Sequence, residues 1–348
     1  MRVRRHTAED LFDRLAPHRR VALVGVAKNC GKTTTLNAMI QSVASRRPIG
    51  LVSIGVDGEA HDLLIGTAKP TIKVPKGTLI VGASNALESS DIELEYLEPL
   101  GVQTPLGPLV VARACTPGAV MLAGVRHRAD LIRALQRLES HGAHLCLIDG
   151  AYGRVMAAHA SACDGVMLCT GAVLDRRMEV VARRTFELWR VLNLPEIEDD
   201  SWRAVAQAAM SQRRALLHTV GGEAVALPSA SALLGLAQSD GLWGEHVDAL
   251  AIPGLVSDRV AQSLHTVPDG PKPRALLVTD GTHLQLSTAA SARLFERWRV
   301  RALRAVPTLG VSVNPTSVAG YAFEEGAFHA ALHAVIPADA WLFNPQLL

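Results

Sequence analysis

Short continuous apolar runs alternate with segments of helical spacing along most of the chain. "RRVALVGVA" reads as a buried strand, and after "GKTTT" the apolar positions Leu36, Met39, Ile40 and Val43 fall on one face of a helix. "PIGLVSIGVDGE" is a second apolar run that ends in an acidic turn at Asp57 and Glu59. "HRADLIRALQRLESHG" has the pattern of an amphipathic helix stopped by Gly142, and it leads into the strand "HLCLIDG" and then the apolar run "GVMLCTGA". Helical spacing also covers "LDRRMEVVARRTFELWRVLNL" and continues from Ser201 into "AQAAMSQRRALLH". The runs "ALAIPG", "RALLVTDG" and "TLGVSVNP" resume the short-strand habit, with "SARLFERWRV" as a helix between them.

Two stretches differ in texture. Between Lys69 and Gly124 the pieces "GTLIVGA", "GPLVVARA" and "AVMLAGV" are separated by Gly and Pro, which predicts hairpins, with one helix at about Asp91 to Leu100. Near the start, Thr7 followed by Asp10 predicts a capped helix carrying Leu11, Phe12 and Leu15, stopped by Pro17. Strands alternating with helices imply an α/β fold with a doubly wound, mostly parallel sheet. The expected organisation is an N-terminal helix at 1–20 and one α/β domain at 21–348, with a β-rich insertion at 69–124 and a helical insertion at 175–248.

Composition narrows the class. At 348 residues and 49% hydrophobic content, the chain can fill a sizeable core. A net charge of +2 with both signs scattered gives no long-range field for nucleic acid or an anionic membrane, so neither is expected as a partner. The five cysteines form no CxxC pair, no secretory leader is evident, and no apolar run reaches the length of a membrane span. A soluble cytoplasmic protein is expected. HExxH, zinc-spaced Cys/His clusters and GxSxG elbows are all missing from the sequence.

The chemistry concentrates in "GVAKNCGKTTT". A glycine-rich turn between a strand and a helix presents backbone N–H groups to phosphate oxygens, and the helix N-terminus adds its partial positive charge. Lys28, Asn29, Cys30, Gly31, Lys32, Thr33 and Thr34 are therefore the candidate nucleotide-binding residues. Lys32 places a charge beside the terminal phosphates, and Thr33 offers a hydroxyl to Mg2+. The usual GxxxxGK[ST] spacing requires glycine at position 26, where Val26 stands, and the glycine is instead Gly25. Asp149 ends the strand "LCLID" and can hold Mg2+ directly or through water. Asp57 is a further candidate for Mg2+, water orientation or phosphate sensing, with a solvated turn as the other reading. Asn314 in "VSVNPTS" can donate and accept at a purine edge, or simply form an Asn-Pro turn. Gly171 and Asp175 in "CTGAVLD" lie at a strand-to-helix rim, where helix capping explains Asp175 equally well. Cys30 reads as a small loop residue rather than a reactive thiol.

The displaced glycine resembles the loop of dethiobiotin synthetases and related ATP-dependent enzymes. Lys28 does not match the extra lysine of partition-type ATPases, so no dimerising role follows for it. More widely, "VALVGVAKNCGKTTTLN", "VSIGVDGE", "KPTIKVPKGTLIV", "GVQTPLGPLVV", "LIDGAYGR", "TGAVLD" and "VSVNPTS" occur in an order similar to the smaller, P-loop subunit of the lysine 5,6-aminomutase reactivases. That resemblance implies a P-loop NTPase fold and an ATP- and Mg2+-dependent chaperone ATPase. It implies as partners a larger MutS-like ATPase subunit and an adenosylcobalamin- and pyridoxal-phosphate-dependent aminomutase client, with a homodimer as a further expectation. In its terms Lys32 is the phosphate clamp, Thr33 and Asp149 surround Mg2+, and Asp57 is a switch residue, so Lys32, Asp57 and Asp149 are the catalytic candidates. Tyr152 and Arg154 match less closely. Two other functions fit the loop: a dethiobiotin synthetase-like enzyme acting on a small carboxylate or amine, and a nucleotide sensor with negligible turnover.

Overall fold

The structure is a computed structural model and describes residues 6–55, 71–150, 158–270 and 272–348. The first strands in chain order are β1 (Arg20–Gly25), β2 (Ile49–Ser53), β3 (Ile72–Val74), β4 (Leu79–Ala83), β5 (Leu94–Thr104) and β6 (Gly107–Ala114). They are followed by β7 (Gly118–Val120), β8 (Leu145–Asp149), β9 (Gly165–Gly171), β10 (Leu216–Thr219), β11 (Ala224–Ala226) and β12 (Val247–Ala251). The last are β13 (Val256–Ser257), β14 (Ala275–Val278), β15 (Leu284–Gln285), β16 (Arg299–Ala302), β17 (Thr308–Asn314) and β18 (Leu342–Phe343). The chain divides into two compact units, Met1–Phe186 with Pro307–Leu348, and Glu187–Val306.

The first unit is built on a nine-stranded sheet in the order β18-β17-β9-β1-β8-β2-β4-β6-β5. The strands from β18 to β4 run parallel, and β6 and β5 add an antiparallel edge. Strand order reverses around β1: the chain leaves it towards β2, returns beside it as β8, and then takes its other side as β9. Such a switch point opens a crevice at the carboxyl ends of the strands, where ligands of doubly wound folds bind.

Helices cover both faces. Val21 and Leu23 of β1 and Ile49 and Leu51 of β2 share a core with Leu36, Met39, Ile40 and Val43 of the helix Lys32–Val43. Gly50, between Ile49 and Leu51, faces the other way, against Leu138 of the helix Arg128–Ser140. A strand buried on both faces must be apolar throughout, and β2 and β9 are buried at every position. The doubly wound, mostly parallel α/β reading is therefore the architecture of this unit. The helix Ala8–Leu15 has the expected capping box, with Asp10 N–H donating to Thr7 Oγ1 at 3.2 Å and Thr7 N–H to Asp10 Oδ2 at 2.7 Å.

The helix expected at Asp91 to Leu100 is absent. Leu94–Thr104 is the edge strand β5, and the helix of this region is the short Ser84–Glu88. Acidic residues at spacings of two to five imitate a helical polar face there, but Pro99 removes an N–H that only an edge strand can spare, and the β5–β6 register shifts beside it.

The second unit has its own five-stranded sheet, β11-β10-β12-β14-β16, in which β12, β14 and β16 are parallel and β10 and β11 antiparallel. It contains the helices Asp200–Gln212 and Ala232–Ala237, but also β10, β11 and β12, so the stretch 175–248 is mixed rather than purely helical, and the compact unit runs on to Val306. Buried Arg274 ties this unit together by donating from Nε to Val247 O at 2.9 Å, from Nη2 to Gly244 O at 3.3 Å, and from Nη1 to Pro268 O. Among the described residues no helix is long and apolar enough to cross a membrane.

Candidate functional site

The connection from β1 to the helix Lys32–Val43 lies at the centre of the large sheet. Gly31 is the N-cap of that helix at φ 97°, in the left-handed region, and no side chain caps the helix start. No acidic residue occupies its first turn either. The first helical N–H groups lack intrahelical acceptors by geometry, so this end stays open to an anion. Asn29 is also left-handed, at φ 58°, which asparagine tolerates better than most residues. Two left-handed residues two positions apart turn the chain sharply around the space above β1.

Gly25 has a steric role. A methyl group there would lie 2.8 Å from Cys30 Sγ and 3.0 Å from Lys32 Cδ. The Lys32 stem therefore folds back across the end of β1, and the glycine makes room for it. Val26, at the position where the usual spacing has glycine, still belongs to the sheet ladder, because its N–H donates to Cys169 O at 2.9 Å. The turn begins one residue later than the usual spacing assumes. Lys28 and Asn29 are exposed, Lys32, Thr33 and Thr34 are half-buried, and Cys30 is fully buried. Burial pushes the Cys30 thiol above its ordinary value, with the Lys32 charge pulling the other way, so Cys30 is a packed thiol at neutral pH.

Asp149 stands beside this loop. As the last residue of β8 it is opposite Leu23 of β1 and Ser53 of β2, and the next N–H, that of Gly150, donates to Leu23 O at 3.1 Å. Burial raises its carboxyl above the ordinary range, and the positive charge of Lys32 partly offsets this. Such a carboxylate has hard oxygen donors, gains from a nearby cation, and together with the Thr33 hydroxyl fits Mg2+.

Asn314 reaches the loop from the far side. It ends β17 opposite Gly171 of β9, and a methyl group on Gly31 would lie 3.3 Å from Asn314 Cβ and 3.6 Å from its Nδ2. Thr316 N–H donates to Asn314 Oδ1 at 3.1 Å, so the Asn-Pro turn is formed and the amide nitrogen lies on the side of Gly31. The Asn-Pro turn reading is the one these contacts show. Asp175 binds Arg177 through its N–H at 2.9 Å and its guanidinium at 3.1 Å, and that side chain holds its carboxyl down to about 2. It is a local turn-forming acid. Asp57, Glu59, Tyr152 and Arg154 lie outside the described residues.

Two features escape a reading of the sequence. Thr35 Oγ1 donates to Gly31 O at 3.0 Å and lies 2.6 Å from Ser312 Oγ, fully buried, so β17 braces the loop from beneath. Tyr321 donates its hydroxyl to Ala172 O at 2.5 Å, which anchors the turn 316–322 next to the end of β9. The tyrosine sits in no motif, and the serine lies in "VSVNPTS" without chemistry of its own to mark it, so only the strand order brings them here.

The sheet, the loop at its switch point and the acid at the end of the adjacent strand have the arrangement of a P-loop-type, doubly wound α/β fold. No family model and no curated protein matches the chain. Among solved structures it is similar to pnob8 ParA, at 17% identity over 52% of this chain and 61% of that one, with a TM-score of 0.25. It is also similar to the signal recognition particle receptor FtsY from Elizabethkingia anophelis, at 12% identity over 93% of this chain and 71% of that one, with a TM-score of 0.25. The match to ParA thus spans about three fifths of that chain's length. At these scores neither likeness bears on function.

Proposed function

We propose that this protein is a P-loop ATPase that binds MgATP at the turn between β1 and the helix Lys32–Val43. One observation carries the proposal: an uncapped helix start with left-handed Gly31, the Lys32 stem folded over Gly25, and Asp149 in register beside β1. In this reading backbone N–H groups from Lys28 to Thr34 hold the phosphates, Lys32 clamps the terminal ones, and Thr33 and Asp149 hold Mg2+. The ion, when bound, spreads the charge that develops on the transferred phosphoryl group. Asp57 completes the proposal as the residue that orients water or senses the terminal phosphate.

The turnover serves a larger task in the same proposal. The ordered motifs shared with the reactivase subunits support a cytoplasmic chaperone that works with a larger MutS-like ATPase subunit. Together they would open an adenosylcobalamin-dependent aminomutase so that damaged cobalamin leaves and intact cofactor enters. Nucleotide can drive such an opening only by binding one state of the assembly more tightly than the other.

The test has two stages. Calorimetry with MgATP should show binding to the wild-type chain and a loss of about 10- to 150-fold in Lys32→Ala, as expected for a charge-assisted contact of about 1.5–3 kcal/mol. Unchanged binding in the variant removes the site assignment. An inactivated aminomutase is then incubated with the chain, the larger subunit, MgATP and fresh adenosylcobalamin. Recovery that Lys32→Ala abolishes supports the reactivase, whereas binding without recovery rejects that task and leaves the nucleotide site standing.

A further inference from the structure

The C-terminal helix Glu325–His333 of the first unit carries an arrangement that the nucleotide site does not use. His329 and His333 are four residues apart and share one helix face, where side chains at that spacing have Cβ atoms about 5–6 Å apart. His329 is only 5% exposed, and its Nε2 is buried without a hydrogen-bond partner. His333 is half-buried, and its Nδ1 is likewise buried and unpartnered. A buried ring nitrogen with no partner is costly, and two on one helix face call for a common ligand.

We infer that His329 and His333 chelate a divalent first-row transition ion of the Zn2+ type, with Glu325 one turn earlier supplying negative charge. The i, i+4 spacing is the one by which a helix offers two imidazoles to one metal ion, and imidazole nitrogen suits ions of this class. Glu325 is itself oriented: Asn344 Nδ2 donates to its Oε1 at 3.0 Å. His6 is occupied otherwise, its Nδ1 accepting from Trp341 Nε1 at 2.8 Å. Among the described residues no third His, Cys, Asp or Glu converges with the pair, so water would complete the coordination. Because Asn344 directly follows β18, an ion here would hold the helix to the last strand of the sheet.

The experiment is a Co2+ titration of the full chain, first stripped with a chelator, followed by visible absorption and by calorimetry. One equivalent should bind and raise the melting temperature. His333→Ala, at a half-buried position, and His329→Gln, which keeps volume and polarity, should each weaken binding at least tenfold while retaining the wild-type circular dichroism. Asp149→Asn should bind Co2+ as the wild type does, which separates this site from the nucleotide's. No binding, or equal binding in the wild type and the two histidine variants, overturns the inference and leaves a water-bridged histidine pair or adventitious binding elsewhere.

Discussion

Replacing Gly31 by alanine isolates the loop's geometry from the fold's stability when it is paired with the same change at Gly142. Both residues are left-handed, at φ 97° and φ 100°. An L residue in that region costs about 1–2 kcal/mol, so both variants should lose roughly that much stability. At Gly142 nothing lies within 4 Å of the added methyl, and the strain is the whole effect. At Gly31 the methyl meets Asn314 Cβ at 3.3 Å, so Asn314 must give by a few tenths of an ångström and the loss should be slightly greater. The variants differ in what relaxation does. If the backbone of Gly31 turns towards negative φ, the N–H groups that follow are aimed away from the phosphates, and losing one charge-assisted contact of about 1.5–3 kcal/mol weakens nucleotide binding at least about tenfold. Thermal unfolding measures the first quantity and calorimetry with MgATP the second. Because the chain holds two compact units, stability is read from the transition that Gly142→Ala shifts. Comparable destabilisation with lost affinity only in Gly31→Ala is the expected result. Wild-type affinity in Gly31→Ala, or an equal loss in Gly142→Ala, would refute the placement of phosphate at this helix start.

Asp149→Asn should stabilise the nucleotide-free protein at neutral pH while abolishing Mg2+-dependent binding. Burial raises the folded-state pKa, so the folded protein holds the proton more tightly, and stability falls as pH rises from the unfolded value through the folded one. The asparagine variant should therefore gain on the wild type above that window and not below it, a comparison made by denaturant unfolding at pH 3 and pH 7. Phe328→Ala empties a fully buried site next to His329 and should cost about 3–5 kcal/mol, seen as a lower denaturation midpoint.

Much of the first unit could be read from periodicity because its strands are buried on both faces. β1, β2, β8 and β9 appear as continuous apolar runs, and Leu36, Met39 and Ile40 have a 3.6-residue period, so element type followed directly. β5 misled because an edge strand with one solvated face carries acids and a proline, and its bulged register breaks strict alternation. The site was legible where its chemistry is local in sequence, from Gly25 to Thr34. It was illegible where strand order does the work: Ser312 meets Thr35 across 277 residues of chain, and Asn314, though itself a candidate from its motif, meets Gly31 only because β17 lies beside β9. His329 and His333 were hidden for a different reason, since a histidine pair on an otherwise apolar helix reads as packing until its buried nitrogens are found unpartnered.

The bracing of the loop bears on how nucleotide could act at a distance. Val26 is held to β9, Thr35 is held to Gly31 and faces Ser312, and Cys30 is packed beneath Gly25, so the turn is supported on three sides before any ligand arrives. A preorganised turn avoids the cost of ordering itself and keeps its N–H groups directed where phosphate charge develops. The same rigidity makes it a poor moving part: a segment that is alike with and without ligand has no differential affinity to contribute, and cannot shift a conformational equilibrium. Any response to ATP must instead involve groups whose contacts change with the terminal phosphate. Among the described residues, Asn314 lies against Gly31 of the loop. Its amide nitrogen lies on that side while its oxygen starts the turn 316–322, and that turn is fastened to Ala172 through Tyr321 and exposes Val318 at 74%.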